Sequence, residues 1–187
     1  CPRNDSGKHV IHGIESRETY ILRGCVSEIW TAASVLIDAF PAVADRLYYS
    51  GGSFGGGLGA LAVPWDPRFR KAALGVPTFG HHPIRLQCRC TGSGEAVRTY
   101  AADHPGAIDV LKYYDAASAA ARIRIPTAVK LATYDPAVPP PGQFAVNNAI
   151  PGPRETFILP LGHFAHPDNE AAERRVADHL RTKFFTD

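Results

Sequence analysis

The chain has 187 residues, 45% of them hydrophobic and 20% charged, with a formal net charge of +2. That is enough chain to bury a core of its own, and the composition is that of an ordinary globular protein. Lysines and arginines are scattered, and no apolar run approaches the roughly 20 residues of a membrane span, so the reading excludes nucleic-acid and membrane partners.

The chain opens on Cys1 and contains no methionine. That pattern is expected of a fragment, a processed product or an incompletely represented chain. Of the four cysteines, Cys1, Cys25, Cys88 and Cys90, none is spaced as a disulfide framework. Cys88-x-Cys90 lacks a second Cys/His pair at ligand spacing, so free thiols in a cytoplasmic enzyme are expected, with no metal.

In chain order, residues 1–9 are polar and turn-like, and Val10 to Gly13 and Tyr20 to Gly24 are short apolar pieces. Residues 26–40 predict a helix: Val26, Ile29, Trp30, Ala33, Leu36, Ile37 and Phe40 recur at three- and four-residue steps, and Pro41 stops it. An aromatic run, Leu47-Tyr48-Tyr49, predicts a strand, and the small residues after Ser53 predict a helix ending near Pro64. Lys71 to Val76 reads as a buried strand. Residues 77–110 show no clear period and suggest a cap-like insertion in a single domain spanning 1–187.

Ala107 to Ala121 is expected to be helical in part. Thr127 to Thr133 predicts a strand, residues 135–142 a stiff proline-rich loop, and Phe144 to Ile150 a short helix. A last strand is expected over Glu155 to Leu161. Asp168 onward predicts a terminal helix with Ala172, Val176, Leu180 and Phe184 on one face. This alternation implies an α/β fold with a mainly parallel sheet and helices on both faces.

Gly51-Gly52-Ser53-Phe54-Gly55 lies between the aromatic strand and the small-residue helix. G-x-S-x-G in that setting is a nucleophile elbow, a strained turn that lifts a serine above the end of a sheet. In a parallel sheet the active site lies beyond the carboxyl ends of the strands. Asp135 and His163 also follow predicted strands, giving the order Ser…Asp…His. A serine hydroxyl needs an imidazole to take its proton, and the imidazole needs a carboxylate to fix its tautomer. Ser53, Asp135 and His163 are therefore the expected catalytic residues. The backbone N–H of Phe54 is the expected oxyanion donor. His81-His82 and His163-x-x-His166 lack further ligands at metal spacing.

From Gly7 onward the chain resembles the acetyl xylan esterase / cephalosporin C deacetylase family, carbohydrate esterase family 7. The matching pieces include His12-Gly13-Ile14, Tyr20-Ile21-Leu22-Arg23-Gly24, Gly51-Gly52-Ser53-Phe54-Gly55-Gly56-Gly57 and Asp66-Pro67-Arg68. Tyr113-Tyr114-Asp115, Tyr134-Asp135 with Val138-Pro139-Pro140, and Gly162-His163 complete the set. The resemblance implies an α/β-hydrolase that removes acetyl groups from short sugar esters without a cofactor, with the same three catalytic residues. It also implies a cytoplasmic protein that forms homo-oligomers.

The family often carries Gln where this chain has Phe54 and Glu where it has Phe164, so both aromatics are expected to line a small apolar pocket. Family chains are longer at the N-terminus, where the second oxyanion donor resides, so this chain is expected to lack the N-terminal strands of the sheet. The competing readings are a prolyl-oligopeptidase-like peptidase, a general carboxylesterase, and a truncated, inactive hydrolase-fold module.

Overall fold

In the computed structural model, which describes residues 7–186, the alternation of helix and strand resolves into a four-stranded sheet. Helix α1 (Ile21–Ala39) leads to β1 (Leu47–Gly52), and α2 (Phe54–Ala62) carries the chain to β2 (Phe69–Gly75). Four short helices follow: α3 (His82–Arg85), α4 (Gly94–Asp103), α5 (Ala107–Leu111) and α6 (Ala116–Ala120). Strand β3 (Thr127–Tyr134), helix α7 (Pro140–Ala149), strand β4 (Arg154–Leu161) and helix α8 (Pro167–His179) complete the order.

The strands lie side by side in sequence order, every neighbouring pair parallel. Parallel pairing requires a crossover each time, which the intervening helices supply. The inner strands are buried on both faces, as Ala72, Ala73 and Leu74 of β2 and Ala128, Val129, Leu131 and Ala132 of β3 attest. On one face Leu74, Val129 and Leu131 pack with Leu58 and Leu61 of α2 and Val146 of α7. On the other, Ala73 and Ala128 meet Phe184, and Leu159 meets Ala172 and Val176 of α8. The four-residue spacing of the terminal helix therefore faces the sheet, as its sequence predicts.

Several expectations need correction. The helix expected over 26–40 begins at Ile21 and absorbs the piece Tyr20–Gly24, with Leu22 fully buried and Gly24 on the exposed side. Its apolar stripe is only partly used. Ile29, Trp30, Ala33 and Ile37 pack with Leu47, Val63, Phe69 and Ala72, whereas Leu36 and Phe40 are 44% and 61% exposed. Strand β1 is the outermost strand, so among the described residues no further strand extends the sheet on that side.

Residues 77–110 are not irregular: Val97 with Ala101, and Ala107 with Leu111, are buried pairs at helical spacing that the dense Gly, Pro and His of this stretch conceal. Pro140 and Pro141 open α7, where a missing N–H costs no intrahelical bond. Trp65 is 55% exposed and stacks with the Arg122 guanidinium at 5.2 Å.

Cys25, Cys88 and Cys90 are free. Cys1, like the other residues of 1–6, lies outside the described residues. Among those described, no helix is long and apolar enough to cross a membrane.

Candidate active site

Because the strands are parallel, their carboxyl ends share one edge of the sheet. Ser53 follows β1 directly, Asp135 follows β3, and His163 comes just beyond β4. Strands spaced about 4.8 Å apart put β4 roughly 14 Å from β1, so the His163 turn must fold back across β3. Both end residues of that span adopt the left-handed region, with φ of 54° at Ser53 and 50° at His163. Non-glycine residues hold such angles only where their surroundings over-determine them.

The surroundings of Ser53 are explicit. Its N–H donates to the Gly75 carbonyl at 2.8 Å, and its own carbonyl accepts from Gly57 N–H at 3.0 Å and Thr78 N–H at 3.3 Å. A side chain at Gly56 would place Cβ 2.5 Å from the Gly75 oxygen, so the elbow can sit against β2 only with glycine there. Gly162 is not itself the turning residue. The left-handed angle belongs to His163, and Gly162 is required because a Cβ would overlap the Asp135 carboxylate.

The three residues are brought together. Ser53 Oγ lies 2.9 Å from His163 Nε2, and His163 Nδ1 lies 2.8 Å from Asp135 Oδ2. A carboxylate only accepts, so Nδ1 carries the proton and leaves Nε2 as an acceptor for the serine hydroxyl. Asp135 has a fully buried side chain, yet its charge is well solvated by protein. Oδ1 accepts from the N–H groups of Ala137 and Val138, each at 2.9 Å, and Oδ2 from Gln143 Nε2 at 3.1 Å. Gln143 itself is completely buried, donating also to the Val138 carbonyl and accepting from Ala132 N–H. Sequence reasoning missed Gln143. The available signal was a polar residue on the core-facing stripe of α7, one helical turn from Val146.

A cavity of about 190 Å³ opens beside Ser53 and His163. Phe54 lines it, packed edge-on against Phe79 at 5.3 Å. Phe164 does not: it is 54% exposed and absent from the lining. The left-handed turn that aims His163 back at Ser53 carries the next residue outward.

His82, another wall residue missed from the sequence, is buried. Its backbone N–H donates to Asp115 Oδ2 at 2.7 Å, its Nε2–H donates to the Tyr114 carbonyl at 3.1 Å, and its Nδ1 is buried without a partner. Burial pushes the imidazole pKa below its ordinary value. The unfolded chain therefore takes up a proton below about pH 6.5 that the folded protein refuses, and stability falls as pH falls through that value. His82→Gln keeps a donor for Tyr114 but does not titrate. Its loss of stability in denaturant unfolding between about pH 7.5 and 5.5 should be shallower than that of the unsubstituted protein; parallel losses would refute the assignment.

Comparison with known proteins identifies the family. The family model described as acetyl xylan esterase (AXE1) matches residues 2–182. Acetyl esterase Axe7A of Xylanibacter ruminicola is 25% identical over 157 residues, which cover 82% of this chain and 35% of that protein. The acetyl xylan esterase from Paenibacillus sp. R4 superposes with a TM-score of 0.78 at 24% identity, covering 89% of this chain and 55% of that one. Acetyl xylan esterase 1 from Thermoanaerobacterium sp. JW/SL YS485 gives 0.75 at 20% identity, covering 89% and 56%. The chain thus spans about a third of the curated relative and just over half of the two solved structures. The fold is that of the α/β-hydrolases, and with nearly its whole length matched by the family model, the chain belongs to the acetyl xylan esterase (AXE1) family.

Proposed function

We propose that this chain carries the catalytic centre of a serine esterase acting on small acetyl esters of sugars or similar alcohols. The observation that carries the reading is the unbroken relay from Ser53 Oγ through His163 to Asp135, with contacts of 2.9 and 2.8 Å. His163 Nε2 takes the Ser53 proton as Oγ attacks the acetyl carbon, and Asp135 stabilises the imidazolium that forms. The Phe54 N–H, which has no intrahelical acceptor at the first position of α2, donates to the tetrahedral oxyanion. His163 then protonates the departing alkoxide. Water, activated by the same imidazole, releases acetate from the acyl-serine.

The segment 77–110 is assigned as the cap, since His82, Leu86 and Val97 within it form one wall of the cavity. A cavity of this size walled by Phe54 and Phe79 leaves little room beyond a short acyl group. Hydrolysis of 4-nitrophenyl esters should therefore fall by about tenfold or more from acetyl to octanoyl, because a longer chain must displace packed rings. A preference for octanoyl would refute the reading.

A further inference from the structure

The acetyl transfer just described makes no use of the charged residue in the cavity wall. Arg85, at the end of α3, is only 8% exposed and lines the same cavity as Ser53 and His163. Among the described lining residues it is the one permanent charge, and no carboxylate shares the wall. Its hydrogen bonds go to uncharged partners: Nη1 donates to the Cys88 carbonyl and Nη2 to Cys90 Sγ, each at 3.2 Å. A guanidinium has five N–H groups, so these bonds use a minority of its capacity. The nearby carboxylate of Glu95 is committed elsewhere, held by Arg98 through contacts of 2.6 to 3.0 Å and by the Cys90 N–H at 3.1 Å. Arg98, the Cys90 N–H and, at longer range, the charge of Arg85 itself hold the Glu95 carboxyl down at about 2, so Glu95 is ionised but gives its hydrogen bonds to Arg98 and Cys90 rather than to Arg85. The chain also makes room for the Arg85 side chain, since a Cβ at Gly94 would overlap Nη2.

A buried guanidinium to which no carboxylate is hydrogen-bonded is incompletely satisfied, and a bidentate carboxylate is the partner that best offsets the cost. We propose that Arg85 is a specificity residue that binds a carboxylate carried by the substrate close to its ester, so that the site prefers acetylated sugar acids over neutral acetylated sugars. This rests on the esterase reading above and narrows its substrate class.

The test compares O-acetylated glucuronic acid with its methyl ester, which has nearly the same shape without the charge. The unsubstituted protein should favour the acid by about 10- to 100-fold in kcat/KM, mostly through KM, the range expected of a charge-assisted hydrogen bond. Arg85→Gln should bring the ratio to about one, and Arg85→Lys should restore part of it. Equal rates on acid and methyl ester in the unsubstituted protein, or a preference that persists in Arg85→Gln, would overturn the proposal. If Arg85→Gln does not fold, the unsubstituted protein and Arg85→Lys decide by the same ratio.

If neither sugar ester nor 4-nitrophenyl acetate is hydrolysed, the esterase reading fails by itself. The carboxylate site is then judged by calorimetric titration with glucuronate against glucose. Binding of glucuronate alone, lost in Arg85→Gln, supports it, and no preference for glucuronate refutes it.

Discussion

Ser53→Ala is expected to lower hydrolysis of 4-nitrophenyl acetate by about 10⁵- to 10⁶-fold, the scale on which removing a serine nucleophile acts. The fold should survive. The backbone bonds that hold the elbow involve the N–H and carbonyl of residue 53, not its hydroxyl. Alanine meets the same strain at φ of 54° that serine does. The hydroxyl bonds only the exposed imidazole of His163, so the unfolding midpoint should move little. The variant should also lose labelling by a fluorophosphonate, which reports the serine independently of any substrate. Turnover near that of the unsubstituted protein would mean that another nucleophile is at work.

Asp135→Asn should cost about 10⁴-fold in kcat with a small change in KM, less than loss of the nucleophile. The reason is in the bonding. Oδ1 of an asparagine can still accept from Ala137 and Val138 N–H, so the amide nitrogen must take the place of Oδ2. There it meets two donors, Gln143 Nε2 and the His163 Nδ1–H. The imidazole relieves the clash by moving its proton to Nε2, and in that tautomer it cannot accept the serine proton. The orphaned amide of Gln143 adds a stability cost of about 1 to 3 kcal/mol, measurable by urea unfolding. Activity within about tenfold of the unsubstituted protein would remove Asp135 from the relay.

The placement of Ser53, Asp135 and His163 was legible because each follows a strand, and a parallel sheet delivers all strand ends to one edge. What surrounds them was less so. Gln143 and His82 act through burial, and no local pattern announces that a glutamine eight residues past an aspartate will donate to it. Arg85 could not be singled out from the sequence, because the helical spacing of residues 82–111 is hidden by proline and glycine. Phe164 was misplaced for a related reason: a left-handed residue reverses the chain, and adjacency to His163 in sequence then says nothing about which way the next side chain points. The exposed end of the α1 stripe shows the opposite error. Leu36 and Phe40 have the right period to be core, but periodicity names a face without saying how far the partner surface extends.

The two ends of the relay are held with very different firmness. Asp135 is clamped from inside the protein by two backbone N–H groups and a buried amide, while His163 stands on an exposed turn and touches the clamp at one nitrogen. The imidazole is therefore mounted like a crank, its Nδ1–H seated on a fixed bearing and its Nε2 at the end of the arm. In the proposed reaction that arm has two stations, the serine oxygen from which it lifts a proton and the leaving oxygen to which it delivers it. A small rotation about the bearing connects them without releasing the carboxylate, so the proton can be carried across the site while the orientation of the ring is never lost.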